Sequence, residues 1–150
     1  MKNRGFTLIE FLVVLGVVAI SFTATLPNLI SFQQERILNS NSQEVVSVLR
    51  SAQKKSVDST LESGWGVKIN SDNYTLFKGD SFTDRKEEFD QDFNLREGVY
   101  FSLVDLESGQ VLFEKGTGTS KNGEIQLSFN SLNGPRICIE KYIIKICHES

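Results

Sequence analysis

Met1-Lys2-Asn3-Arg4-Gly5-Phe6-Thr7-Leu8-Ile9-Glu10 sets two cations and a glycine directly before a long apolar run and places one carboxylate, Glu10, inside it. From Phe6 to Ile30 the chain is almost wholly apolar or small, about the ~20 residues a helix needs to cross a hydrocarbon core. Lys2 and Arg4 flank its N-terminal side, so the positive-inside bias keeps the short N-terminus cytoplasmic and sends the rest outward. A secretory signal peptide opens in the same way but ends in a small-residue cleavage site. Ser21 to Thr25 imitates one poorly, and the apolar pattern runs straight through it. An ionisable group at membrane depth costs roughly 2.5 to 3.5 kcal/mol on insertion scales, so Glu10 calls for a partner or a function. Snorkelling of its carboxylate to the headgroups is the plain alternative.

Beyond the apolar run the helical pattern continues. Pro27 removes a backbone donor and predicts a kink or a local loosening, after which Ile30, Ile37, Val45, Val48, Leu49 and Ala52 recur at helical spacings as one buried stripe. The helix is expected to run from Phe6 to about Glu62, with Ser31 to Gln43, rich in Gln, Asn and Ser, as its weakest part. From Gly64 the periodicity becomes alternating. Trp65, Val67 and Ile69, then Tyr74 and Leu76, flank a polar turn at Asn70-Ser71-Asp72-Asn73. Further strands are expected at 99–104, 110–113, 124–129, 135–140 and 142–147, separated by Ser108-Gly109, Gly116 to Gly123 and Asn133-Gly134. The fold class is therefore α+β, a long N-terminal helix packed on a small antiparallel sheet or sandwich.

Gly5-Phe6-Thr7-Leu8-Ile9-Glu10 followed by an apolar helix resembles the N-terminus of the prepilin family, the subunits of type IV pili and type II secretion pseudopilins. In that family a membrane-embedded aspartyl peptidase cuts after the glycine and methylates the new terminus. By resemblance Gly5 and Phe6 are the scissile pair, Phe6 is the N-methylated residue, and residues 1–5 are a cleaved leader. Residues 6–30 then form the membrane and filament-core helix, 31–63 its amphipathic continuation, and 64–150 an extracytoplasmic β domain. Cleavage leaves an α-ammonium on Phe6 four residues, or about 6 Å along a helix, from the Glu10 carboxylate. Such a pair neutralises itself or bridges neighbouring subunits and so sets their register. Gly64-Trp65-Gly66-Val67, the Tyr74 to Phe77 strand and the segment Ile125 to Gly134 look like the H-type minor pseudopilins and the FimT-like minor pilins.

The resemblance implies a subunit of the cytoplasmic membrane and then of a filament. Its partners would be other pilins, a prepilin peptidase, an inner-membrane assembly platform and membrane lipid. No catalytic residue, cofactor or metal site is read. The one histidine, His148, stands two residues from the end of the given sequence, a poor place to assemble a triad. Asp90, Asp92 and Asn94 are spaced like the start of a calcium loop, but the sixth and twelfth positions are Leu95 and Phe101 instead of Gly and Glu. The run Asp84 to Asn94 is expected to be a solvated loop. Gly116-Thr117-Gly118-Thr119 reads as a flexible turn and not a phosphate cradle. Cys138 and Cys147, outside the cytoplasm, leave open a disulfide or two half-buried thiols.

Net charge is −3, and loss of the two charges of Lys2 and Arg4 with the leader lowers it to −5, which is not the balance of a general nucleic-acid binder. Lys115, Lys121, Arg136, Lys141 and Lys145 nevertheless cluster in the last third. A DNA-binding minor pilin of an uptake pilus, gripping phosphates through Arg136, Lys141 and Lys145, is the alternative to a purely structural subunit. A secreted protein whose apolar segment is only an export signal is the third reading, against which Glu10 and the uninterrupted helix argue.

Overall fold

A computed structural model describes residues 7–58 and 63–147, without the side chains of 22–31. Gly5, Phe6, the helix end expected near Glu62 and His148 lie outside the described residues, as do the side chains of Pro27 and Ile30. Helix α1 spans Leu8–Asp58; Pro27 sits inside it and does not end it. The chain divides into two compact units, Met1–Gln34 and Glu35–Ser150, and α1 contributes to both.

In the second unit, α1 buries Leu38, Val45, Val46, Val48, Leu49 and Ala52, the stripe that its three- and four-residue spacing dictates. The polar stretch before it is not a frayed end. Asn41 and Ser42 are buried with the stripe, and Asn41 donates to the Ile37 carbonyl at 2.8 Å while accepting the Arg96 N–H at 3.3 Å.

Among the described residues eight strands follow, all antiparallel, in two sheets of four. They are β1 Trp65–Ile69, β2 Asn73–Lys78, β3 Gln91–Asn94, β4 Val99–Asp105, β5 Gln110–Phe113, β6 Gly123–Phe129, β7 Leu132–Ile139 and β8 Ile144–Cys147. The orders are β3-β2-β1-β5 and β4-β6-β7-β8. The inner residues of both sheets, among them Val67, Tyr74, Leu76, Phe113, Ile125, Leu127, Ile137 and Ile139, join the apolar residues of α1 in one core. Burying a Leu or Ile side chain is worth about 1.5–3 kcal/mol.

Where the structure departs from the alternation, local chemistry explains it. The acidic run is solvated as expected but is not all loop. Residues 87–89 form a 3-10 turn and Gln91–Asn94 an edge strand on β2, held by the Thr75 hydroxyl donating to Asp92 Oδ1 at 2.6 Å and by Phe93 stacking on Tyr74 at 5.2 Å. Charge suits that position, because an edge strand carrying carboxylates resists pairing with another chain. The turn assigned to Asn133-Gly134 is also displaced. Asn130 takes the left-handed φ of 54° that such a reversal needs, and Asn133 and Gly134 belong to β7.

The Gly116–Thr119 segment is a packed turn. Gly118 has φ +65°, and a Cβ there would come 2.6 Å from Val57 Cγ2. The Gln53 amide donates to the Gly118 carbonyl at 3.0 Å. Two further polar residues of α1 serve the loops: Arg50 donates to the Ile144 carbonyl at 3.0 Å, and the Ser56 hydroxyl accepts the Trp65 N–H at 2.8 Å.

Tyr74 is 1% exposed, and burial, with the negative charge of Glu44, raises its phenol well above the ordinary value of 10.0. The folded state therefore keeps this proton where the unfolded chain releases it, and the stability it brings is complete below pH 10 and lost as pH rises beyond. Urea unfolding followed by the fluorescence of Trp65 should show stability falling by about 1.4 kcal/mol per pH unit more steeply in wild type than in Tyr74→Phe above pH ~10. Parallel curves would contradict this origin.

Candidate functional site

The first turn of α1 explains how the N-terminal motif folds. Thr7 stands immediately before the helix, and its hydroxyl accepts the Glu10 N–H at 3.4 Å while its carbonyl accepts the Phe11 N–H at 3.2 Å. Thr7-Leu8-Ile9-Glu10 has the Thr-x-x-Glu spacing of a capping box, a signal the sequence reading passed over. A carboxylate in this turn also complements the helix dipole. The Glu10 carboxylate thus stands in the first turn, where no hydrogen bond and no cation among the described residues reaches it.

The helix then exposes large apolar side chains in every direction, from Leu8 at 79% through Phe11, Val13 and Val17 to Ile20 at 73%. A helix apolar all round has no solvent face and is stable only when covered. Among the described residues no helix is long and apolar enough to cross a membrane. The described side chains of the run stop at Ser21, whereas the sequence continues it to Ile30.

The C-terminal candidates lie on the outward face of the second sheet. Cys138 and Cys147 are joined diagonally across β7 and β8 by a disulfide, with Cα atoms 6.0 Å apart. Arg136 and Lys145 share that face, but each meets a carboxylate: Arg136 lies 3.7 Å from Glu124 and Lys145 2.7 Å from Glu140. Lys121 pairs with Glu107. Lys141 sits at the exposed β7–β8 turn, 5.5 Å from the Tyr142 ring. The three candidate phosphate contacts therefore do not converge as bare cations.

The calcium-like spacing also comes apart. Asp90 is bound to Arg85 Nε at 2.7 Å and Asp92 to Thr75. Among the described residues no group of three or more His, Cys, Asp or Glu could hold a metal ion.

Residues 1–26 match the family model described as the prokaryotic N-terminal methylation motif, the hallmark of type IV prepilin-like proteins. The motif supports a type IV pilin-like or pseudopilin precursor and points to a structural subunit. No curated protein and no solved structure matched the chain.

The Cys138–Cys147 bond closes a loop over a sequence separation of 9. Replacing both cysteines by serine should lower stability by about 2–3 kcal/mol on the chain-entropy account, read as a lower urea midpoint. An unchanged midpoint would show that the bond contributes nothing to folding.

Proposed function

We propose that this chain is the precursor of a minor pilin or pseudopilin, a structural subunit of a type IV pilus-like or type II secretion filament. It is made in the cytoplasmic membrane as a single-pass protein with its β domain outside, is cut after Gly5, and is N-methylated at Phe6. The observation that carries the reading is the methylation motif over residues 1–26, set on a Thr7-capped helix whose exposed apolar surface bears the single carboxylate Glu10.

The mechanism follows from solvation. The apolar helix is covered first by lipid and then, after extraction into a filament, by the helices of neighbouring subunits. Neither environment solvates ions. The Phe6 ammonium and the Glu10 carboxylate must therefore meet, within one chain or between two, and an intermolecular pair fixes the stagger of adjacent subunits. The peptidase, the assembly platform and other pilins are the partners this route requires.

DNA capture is the less supported reading. Arg136 and Lys145 already face Glu124 and Glu140, and exposed ion pairs of this kind leave little net positive field for a phosphate backbone.

The processing step is the direct test. A bulky side chain at the scissile glycine should keep the leader from the peptidase, so intact-mass analysis should find wild type beginning at N-methylated Phe6 and Gly5→Val still carrying Met1 and the leader. A normal mature N-terminus on the Gly5→Val protein would overturn the assignment.

A further inference from the structure

We propose that the free edge of β5 is a strand-addition site for a projecting, extended segment of a neighbouring subunit, anchored by an acidic side chain at Lys141. The proposal rests on the filament reading above and names one contact within it.

β5 ends the first sheet and pairs only with β1. Its Val111 and Phe113 carbonyls face β1: a Cβ on Gly66 would meet Val111 O at 2.8 Å, and one on Gly64 would meet Phe113 O at 2.4 Å. Strand alternation then turns the N–H and C=O of Leu112 away from β1. The chain closes its own outward groups on either side. The Gln110 N–H donates to the Glu107 carbonyl, the Glu114 N–H donates to Thr119 O at 2.8 Å, and Glu114 O accepts from the Gly118 N–H at 2.8 Å. Between these closures the Leu112 pair has no partner among the described residues.

The other three edges are defended. β3 carries Asp92, β4 is interrupted by a bulge between Phe101 and Leu103, and β8 carries Lys145 and the disulfide. β5, Gln110-Val111-Leu112-Phe113, has neither charge, bulge nor proline. Such an edge is a template for another strand.

The edge lies in a cleft of about 940 Å³, with Leu106, Val111 and Leu112 among its apolar lining and Lys121 and Lys141 among its polar one. Its charges are largely spent: Lys121 is paired with Glu107, and the Glu114 carboxylate takes the Thr119 hydroxyl. Lys141 faces no carboxylate among the described residues, which selects an acidic residue in the incoming strand. A second copy's β5 is recessed in the same cleft, and two recessed edges cannot meet. The occupant is therefore a different, protruding segment.

Hydrogen exchange read by mass spectrometry would compare the full chain in detergent micelles with the same chain in filaments harvested from cells that make the other subunits. Exchange across 110–113 should slow about tenfold in the filament. Lys141→Glu reverses the anchor and should abolish that slowing, while exchange at 65–69 stays as in wild type. Chain present in filaments with unchanged exchange at 110–113 would overturn the strand-addition site and leave the filament reading standing. Absence of the chain from filaments would remove both. Slowing that survives Lys141→Glu, or that arises in the micelle sample as its concentration is raised, would likewise overturn the proposal.

Discussion

The second half of α1 must satisfy two sheets at once, and the rest of the outer unit follows from how it does so. Leu38, Val45, Leu49 and Ala52 supply an apolar stripe that faces residues of both sheets in one core. The same helix carries the polar groups that close the loops: Arg50 to Ile144, Gln53 to Gly118 and Tyr142, Ser56 to Trp65, and Asn41 to Arg96. The Ser56 bond is buried, and leaving the Trp65 N–H unpaired there would cost about 1–3 kcal/mol; the others are part-buried or exposed and tie the loops to the helix. The loops at 116–119 and 140–143 are thereby set by the helix, and with them the wall of the cleft beside β5.

The first half of α1 poses the opposite problem. Between Leu8 and Ile20 nothing in the described chain covers its apolar surface, and the single carboxylate there has only the helix start for company. Two chemistries meet at Glu10. The cap itself uses only its backbone, the Thr7 hydroxyl accepting the residue-10 N–H, which a glutamine there leaves in place. As a charge it makes any dry environment unfavourable until an ammonium arrives, and cleavage after Gly5 would create one on Phe6.

Much of this was legible in the sequence, for physical reasons that differ by element. The α1 stripe and the strands at 65–69, 99–105 and 110–113 are patterned by burial, so periodicity finds them. The N-terminal motif is local chemistry, and Gly5 to Glu10 displays it directly. β3 was missed because its stabilisation is not in its own pattern: it comes from Thr75 and Tyr74, which lie in β2. The true β6–β7 reversal was missed because Asn133-Gly134 is the stronger turn signal, although Asn130 takes the positive φ. The close packing of Gly118 on α1 depends on Gln53 and Val57, which no window around residue 118 contains. The pairing of Arg136 and Lys145 with carboxylates needs the register of β6, β7 and β8.

Assembly depends on the charge at Glu10, and not on the backbone cap that residue 10 shares with Thr7. Glu10→Gln separates the two, since it keeps the Thr7 cap on the residue-10 N–H and removes the charge. The variant should still be inserted and cut after Gly5, and its outer unit should unfold at the wild-type urea midpoint, because the sites are independent. Its recovery in filaments purified with their other subunits should drop about tenfold or more, the consequence of an ammonium left without its partner in a dry core. Recovery at the wild-type level would contradict the account and leave Glu10 as a first-turn charge with no part in assembly.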